Sequence, residues 1–364
     1  MKKVYNIWVD IMKGIAIIAV VLLHVDYIYP EDINKAVLIS ILGDSWHMPL
    51  FYMIAGFFVS RERLTDPVFM VKNKFRKLHL RLLYYYVPFL LLHNVFLITG
   101  FYNGETEYGG KQMILYTFTD YIQKFLEVFF FMGREPYASP LWFVYVLFEA
   151  FISLSILSWI VKRITGETGF RWEITMSVTL ILTSSISYSL TNIFDITIPR
   201  ISNVPPAAWL IFLGMILKNR IKLNFDNKYL ATASLAMLIT VCYIKKCCMM
   251  TNDYHDIVHI TFIAITATYF FAYIARKIEQ NIIGKTLAYI GHHSFEIMSL
   301  HLISFAIFAW TYNQLFSATL PFYKLGIKTD SLFLFMVLTL AGVTFPLGFA
   351  SIYDTLRKTL RNND

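Results

Sequence analysis

VDIMKGIAIIAVVLLH, residues 9–24, is an apolar run of membrane-helix character that nevertheless holds Asp10, Lys13 and His24. At about 100° per residue, Lys13 and His24 fall within about 20° of one another, and Asp10 lies about 40° from His24 on the other side. All three therefore share one face. A charge inside a span costs on the order of 2.5 kcal/mol or more, so that face meets protein or a water-filled cavity and marks a candidate functional site. The competing reading is that Asp10 and Lys13, three residues apart, neutralise one another, and that His24 is a hydrogen-bonded packing residue.

The rest of the chain agrees with a membrane setting. Of its 364 residues, 57% are hydrophobic and only 15% charged, against about 25% charged in an ordinary globular domain. A soluble enzyme, a disordered chain and a protein with a lone anchor are excluded. Ten apolar stretches are read as candidate crossings, where about 20 apolar residues are needed to span: 7–29, 45–60, 82–101, 141–161, 173–191, 205–217, 229–248, 257–275, 290–312 and 331–353. Pro49 and Pro205–Pro206 predict irregular starts for the short second and sixth. Assigning Lys and Arg to alternate sides places 22 with the N-terminus, including Lys2 and Lys3, and nine opposite, which predicts both termini in the cytoplasm. The expectation is an all-α, polytopic helical bundle of about ten spans, forming a single membrane domain over 1–364. The net charge of +8 then belongs to cytoplasmic loops rather than to nucleic-acid binding. Cys242, Cys247 and Cys248 have neither disulfide-framework nor metal-site spacing, so no metal is expected. Asp10, Lys13 and the lack of a small-residue cleavage site argue for a retained first helix, not a signal peptide.

Other polar residues fall inside these spans. His47, in SWHMPLFYMIAGFF, enters the second helix at a depth similar to His24; two histidines can bind zinc, but no third ligand is evident, and a base with a polar neighbour suits them better. Ser294 and His301, seven residues apart, lie within about 20° on the ninth helix, and Glu149 is a lone intramembrane carboxylate. Gly14 and Gly56 read as close helix approaches. The stretch 67–81, PVFMVKNKFRKLHLR, is a basic amphipathic segment for the cytoplasmic surface. In the long connection 102–140, residues 102–110 read as a turn and 124–133 as a short half-buried helix.

VDIMKGIAIIAVVLLH followed by SWHMPLFYMIAGFF resembles the opening of the membrane-bound acyltransferase-3 family, in its branch of fucose O-acetylases and surface-polysaccharide O-acyltransferases. NKFRKLHLRLLYYYVPF, LWFVYVLF and IGHHSFEIMSLH follow in the family's order. The resemblance implies a ten-helix domain in a bacterial-type plasma membrane. Such a domain carries an acyl group, usually acetyl, from acetyl-CoA or another cytoplasmic acyl-CoA to a hydroxyl of an exported glycan or lipid-linked sugar. It places the family's basic residue and histidine at Lys13 and His24 and a second histidine at His47, with His24 and His47 read as the catalytic pair. The eleven residues from Lys13 to His24, about 16 Å of helix rise, suit the extended CoA arm. Lys13 is therefore expected to contact that arm and Asp10 to orient or offset Lys13. Lys74, Arg76, Lys77 and Arg81 would hold the CoA phosphates. Lysine stands at 13 where arginine is common in the family. Ala55 replaces a frequent serine, and three residues separate Lys77 from Arg81, an irregular version of the basic motif. The rival readings are a proton-coupled transporter or polysaccharide exporter and a scaffolding membrane subunit.

Overall fold

The computed structural model describes residues 6–27, 43–102, 107–108, 111–130, 132–198, 200–320 and 327–362. Lys2 and Lys3 lie outside the described residues, as does much of the segment read as a turn at 102–110. The helices are α1 (Ile7–Leu23), α2 (His47–Gly56), α3 (Arg61–Leu64), α4 (Pro67–Lys74), α5 (Leu80–Leu91) and α6 (His93–Ile98). They continue as α7 (Phe118–Phe129), α8 (Trp142–Thr165), α9 (Phe170–Asn192), α10 (Val204–Ile216), α11 (Lys228–Ile244), α12 (Ile257–Ile278), α13 (Ile282–His292), α14 (Ser294–Phe316) and α15 (Leu332–Asn362). The fold is all-α as expected, with two short ladders beside the helices. Strand β1 (Val25–Tyr27) pairs in parallel with β4 (Ile327–Thr329), and β2 (Glu107–Tyr108) pairs antiparallel with β3 (Lys111–Gln112).

Among the described residues, six helical stretches are long and apolar enough to cross a membrane: Pro136–Thr165, Phe170–Asn192, Ile201–Ile221, Ile257–Ile278, Ser294–Phe316 and Leu332–Ile352. Helix α9 exposes Phe170, Ile174, Val178, Leu182 and Ile186, an apolar face of the kind that lies against lipid in a membrane protein. Helices also occupy the other four apolar stretches, but they are shorter: α1, α2, α5 with α6, and α11. Pro88 sits inside α5, and the chain restarts at His93 after Leu92. The ninth stretch differs from its expected bounds. Helix α13 ends at His292, His293 takes φ −97° and ψ 20°, and the membrane helix starts only at Ser294. Pro205 and Pro206 do open α10, where an absent N–H costs nothing.

By its contacts the chain divides into two compact units, the first Met1–Ala19, Ile33–Leu80 and Trp142–Gly291, the second Val20–Asp32, Arg81–Leu141 and His292–Asp364. In the first, helices meet through glycine seats. A Cβ on Gly14 would strike the Leu287 carbonyl, and one on Gly291 the Asp10 carbonyl, so α1 and α13 touch backbone to backbone. Gly56 against the Ile211 carbonyl and Gly214 against the Met53 carbonyl do the same for α2 and α10. In the second unit, α14 packs along α15, and the turn of 3-10 helix at Pro136–Leu141 packs on α14. The β1–β4 ladder begins one residue after His24 and so fixes the backbone that carries it. In α15, Gly348 faces open space.

Candidate functional site

Asp10 and Lys13 form an ion pair one helical turn apart on α1, with the Asp10 side chain 9% and that of Lys13 25% exposed. At the other end of this helix His24 follows the last helical residue, and its ring Nδ1 lies 2.8 Å from the Val20 carbonyl. A carbonyl only accepts, so this contact assigns the ring proton to Nδ1 and leaves the lone pair on Nε2. The pattern recurs. Nδ1 of His301 lies 2.9 Å from the Ile297 carbonyl, and Nδ1 of His47 lies against the Gly43 carbonyl. Each histidine is thus held by the carbonyl four residues before it, with Nε2 as its basic atom.

His24 and His301, from α1 and α14 in the second unit, meet edge to face with ring centroids 4.8 Å apart. His301 is fully buried, and its Nε2 has no hydrogen-bond partner among the described residues. The two histidines singled out separately in the sequence are therefore one imidazole pair. Ser294 is half-buried as the first residue of the same helix. His47 belongs to the first unit, where it is buried at the start of α2.

The four basic residues expected at the CoA phosphates stand in different settings. Arg76 and Lys77 are exposed on a π-helical turn, Phe75–His79. Such widened turns recur at functional positions. Lys74 is half-buried, its ammonium 3.2 Å from the centroid of Phe151. Burial, helped by the Lys77 charge, pushes its pKa down to about 7, while the ring face pulls the other way. Arg81, in the second unit, pairs with Glu296 and lies 4.3 Å over Phe295. Tyr85 donates to the same carboxylate at 3.4 Å, and His293 Nδ1 stands 3.9 Å from it. Arg76 and Lys77 are thus the cations presented outward, whereas Arg81 already has a carboxylate.

Near Glu149, the Arg200 guanidinium lies 4.5 Å over the ring of Tyr145, one turn earlier on α8. The Glu149 Oε2 atom is buried without a hydrogen bond among the described residues. The sequence reading missed a further group in the second unit. Glu135, 1% exposed, meets His93 Nδ1 at 3.0 Å and accepts from the hydroxyls of Tyr116 at 3.2 Å and Tyr102 at 3.4 Å. His93 lies inside the third apolar stretch, so the rule applied to His24 would have found it. The second unit also holds an apolar cavity of about 460 Å³ lined by Tyr85, Phe89, Phe96, Phe101, Ile303 and Ile307. Among the described residues no three His, Cys, Asp or Glu converge as metal ligands.

Six helical stretches among the described residues, long and apolar enough to cross a membrane and with exposed apolar faces, mark a multi-pass membrane protein. The chain belongs to the acyltransferase-3 family, whose acyltransferase domain matches residues 6–351. Membership makes it a membrane acyltransferase. No curated protein and no solved structure matches the chain.

Proposed function

We propose that this acyltransferase moves an acyl group, acetyl first, from cytoplasmic acyl-CoA to a hydroxyl of an exported or cell-surface glycan or lipid-linked sugar, with His24 as general base. The observation that carries the reading is the Val20 carbonyl on His24 Nδ1 at 2.8 Å, which leaves Nε2 to take a proton. As the acceptor oxygen bonds to the thioester carbon, its proton passes to Nε2. The carbon–sulfur bond then breaks, and the imidazolium returns that proton to the CoA thiolate. Buried alongside, His301 restrains the His24 ring.

The lock on His47 makes its neutral ring an acceptor at Nε2. It is assigned to a hydroxyl of the sugar, and only its protonated form would donate to an oxyanion. Lys13 lies eleven residues before His24, about 16 Å of helix rise, which suits the pantetheine arm. Arg76 and Lys77, with Lys74, are assigned to the CoA phosphates; Arg81, paired with Glu296, remains a separate candidate for that role. The topology that serves this reaction has ten crossings and cytoplasmic termini, in a bacterial-type plasma membrane. Its support is the excess of basic residues on one side of the chain.

The experiment is acetyl-CoA turnover by purified protein without an ion gradient, followed by thiol release in the presence of a glycan acceptor. His24→Ala is expected to lose about 10²–10⁴-fold in turnover while keeping its expression and fold. Near-parental turnover in that variant would remove His24 as the base. The contact between His24 and His301 also suits a proton relay in a coupled transporter. Gradient-dependent sugar movement with no thiol release would favour that second reading.

A further inference from the structure

Helix α7, Phe118–Phe129, is amphipathic in the opposite sense to a helix on a soluble surface. Its outward residues are Phe118, at 81% exposure, with Ile122, Phe125, Leu126 and Phe129. Ile114 and Leu115 before it, and Phe130 and Met132 after it, extend the same exposed apolar surface. Its polar stripe, Asp120, Lys124 and Glu127, is half-buried beside Tyr121 and the buried Val128. A helix facing water turns its apolar stripe inward.

The orientation is held from both ends. On the approach to α7, Asn94 clamps the Tyr116 backbone in both directions, at 2.8 and 2.7 Å, and the Ile114 carbonyl lies 3.0 Å from His93 Nε2. Beyond α7, the buried Glu135 carboxylate meets the other nitrogen of His93 and the Tyr116 hydroxyl, while its amide donates to Tyr86 at 2.5 Å. Thr117 and Asp120 form a capping box that fixes the first turn. The helix cannot roll its phenylalanines inward without breaking these contacts.

We propose that α7 is an in-plane membrane helix, its Phe118–Phe129 face sunk among the lipids at the membrane surface. The occupant of that face is lipid because the next helical stretch, Pro136–Thr165, is long and apolar enough to cross the membrane, and a crossing there tethers α7 at the bilayer. With 12 residues the helix is about 18 Å long, too short for a hydrocarbon core of about 30 Å, so it lies within one leaflet. One lysine beside two acidic residues gives no attraction to anionic headgroups. Apolar burial alone holds it there.

The test uses nitroxides in the full-length protein in phosphatidylcholine vesicles, in a background lacking Cys242, Cys247 and Cys248. Phe118→Cys, Ile122→Cys and Phe125→Cys should favour oxygen over a water-soluble nickel chelate several-fold more than Thr119→Cys and Gln123→Cys. The preference should be unchanged at high salt. Equal nickel access at all five positions would overturn the proposal. So would exclusion of both probes from the apolar positions, which would mean that protein, such as a second copy, covers the face. If the cysteine variants misfold, the unsubstituted chain is labelled by a carbene on the lipid tails. Insertion into 118–129 supports the proposal, and insertion only by an aqueous carbene refutes it. Both readouts measure depth and not side, so the outcome is independent of the orientation proposed above.

Discussion

A histidine whose Nδ1 meets its own helix's carbonyl is a base with a chosen nitrogen, and this chain uses the device at residues 24, 47 and 301. Lys13 is the residue whose role is most open to test, because its pair with Asp10 serves either a structural or a donor-binding purpose. If the pair only neutralises a buried charge, Asp10→Asn with Lys13→Met leaves turnover intact, since neither charge is stranded. The proposed contact with the CoA arm requires that the double variant lose acetyl-CoA affinity, read as a rise in KM. Lys13→Arg should then retain part of the activity. The Asp10–Lys13 pair was legible in the sequence because three-residue spacing on a helix brings side chains together. The pairing of His24 with His301 was not, since 276 residues separate them and only the packing of α14 brings them into contact. Arg81 with Glu296 was hidden for the same reason.

The π-helical turn at Phe75–His79 divides the basic residues into those presented outward and those turned inward. Arg76→Ala and Lys77→Ala should each raise KM for acetyl-CoA several-fold and leave its saturated turnover nearly unchanged, because charge on a remote phosphate binds ground and transition states alike. Lys74 adds a pH signature. With its pKa pushed down to about 7 by burial, it is largely neutral at pH 8, and a bound phosphate would favour its ammonium form. Binding of acetyl-CoA at pH 8 should therefore take up protons, seen as heats that differ between buffers of different ionisation enthalpy. Lys74→Gln should abolish the difference. The same shift has a stability sign. Between the folded pKa near 7 and the unfolded value near 10.5 the unfolded chain holds the extra proton, so this lysine's contribution to stability rises with pH across that window. Apolar runs made the ten helical stretches legible, while the break at His293 was not. His292 and His293 have ordinary helix-compatible side chains, and it is the local backbone that ends α13. The inverted face of α7 was also beyond the sequence, which shows a stripe without showing which side it faces.

At the scale of the molecule, the family covers residues 6–351, and the charge asymmetry behind the proposed topology can be measured directly. Reporters fused at either end should be active only in their cytoplasm-competent form, and one inserted at Gly133 only in its exported form. A cytoplasmic signal from Gly133 would invert the topology and with it the side on which CoA must enter.

The glycine seats between helices carry a consequence for anyone who wants a hardier version of this protein. Replacing helical glycine by alanine is a common stabilising change, worth about 0.5–1 kcal/mol where there is room for a methyl group. Here the seats forbid it at Gly14, Gly56, Gly214 and Gly291, where the new methyl would collide with a neighbouring carbonyl or backbone atom. Gly348, open on all sides, allows it. Gly348→Ala is expected to raise the unfolding temperature of the solubilised protein by about a degree, and Gly291→Ala to lower it, with both read from one thermal scan. Laboratory evolution of this chain toward heat tolerance would accordingly find its glycine gain at Gly348 and leave the α1–α13 and α2–α10 contacts untouched.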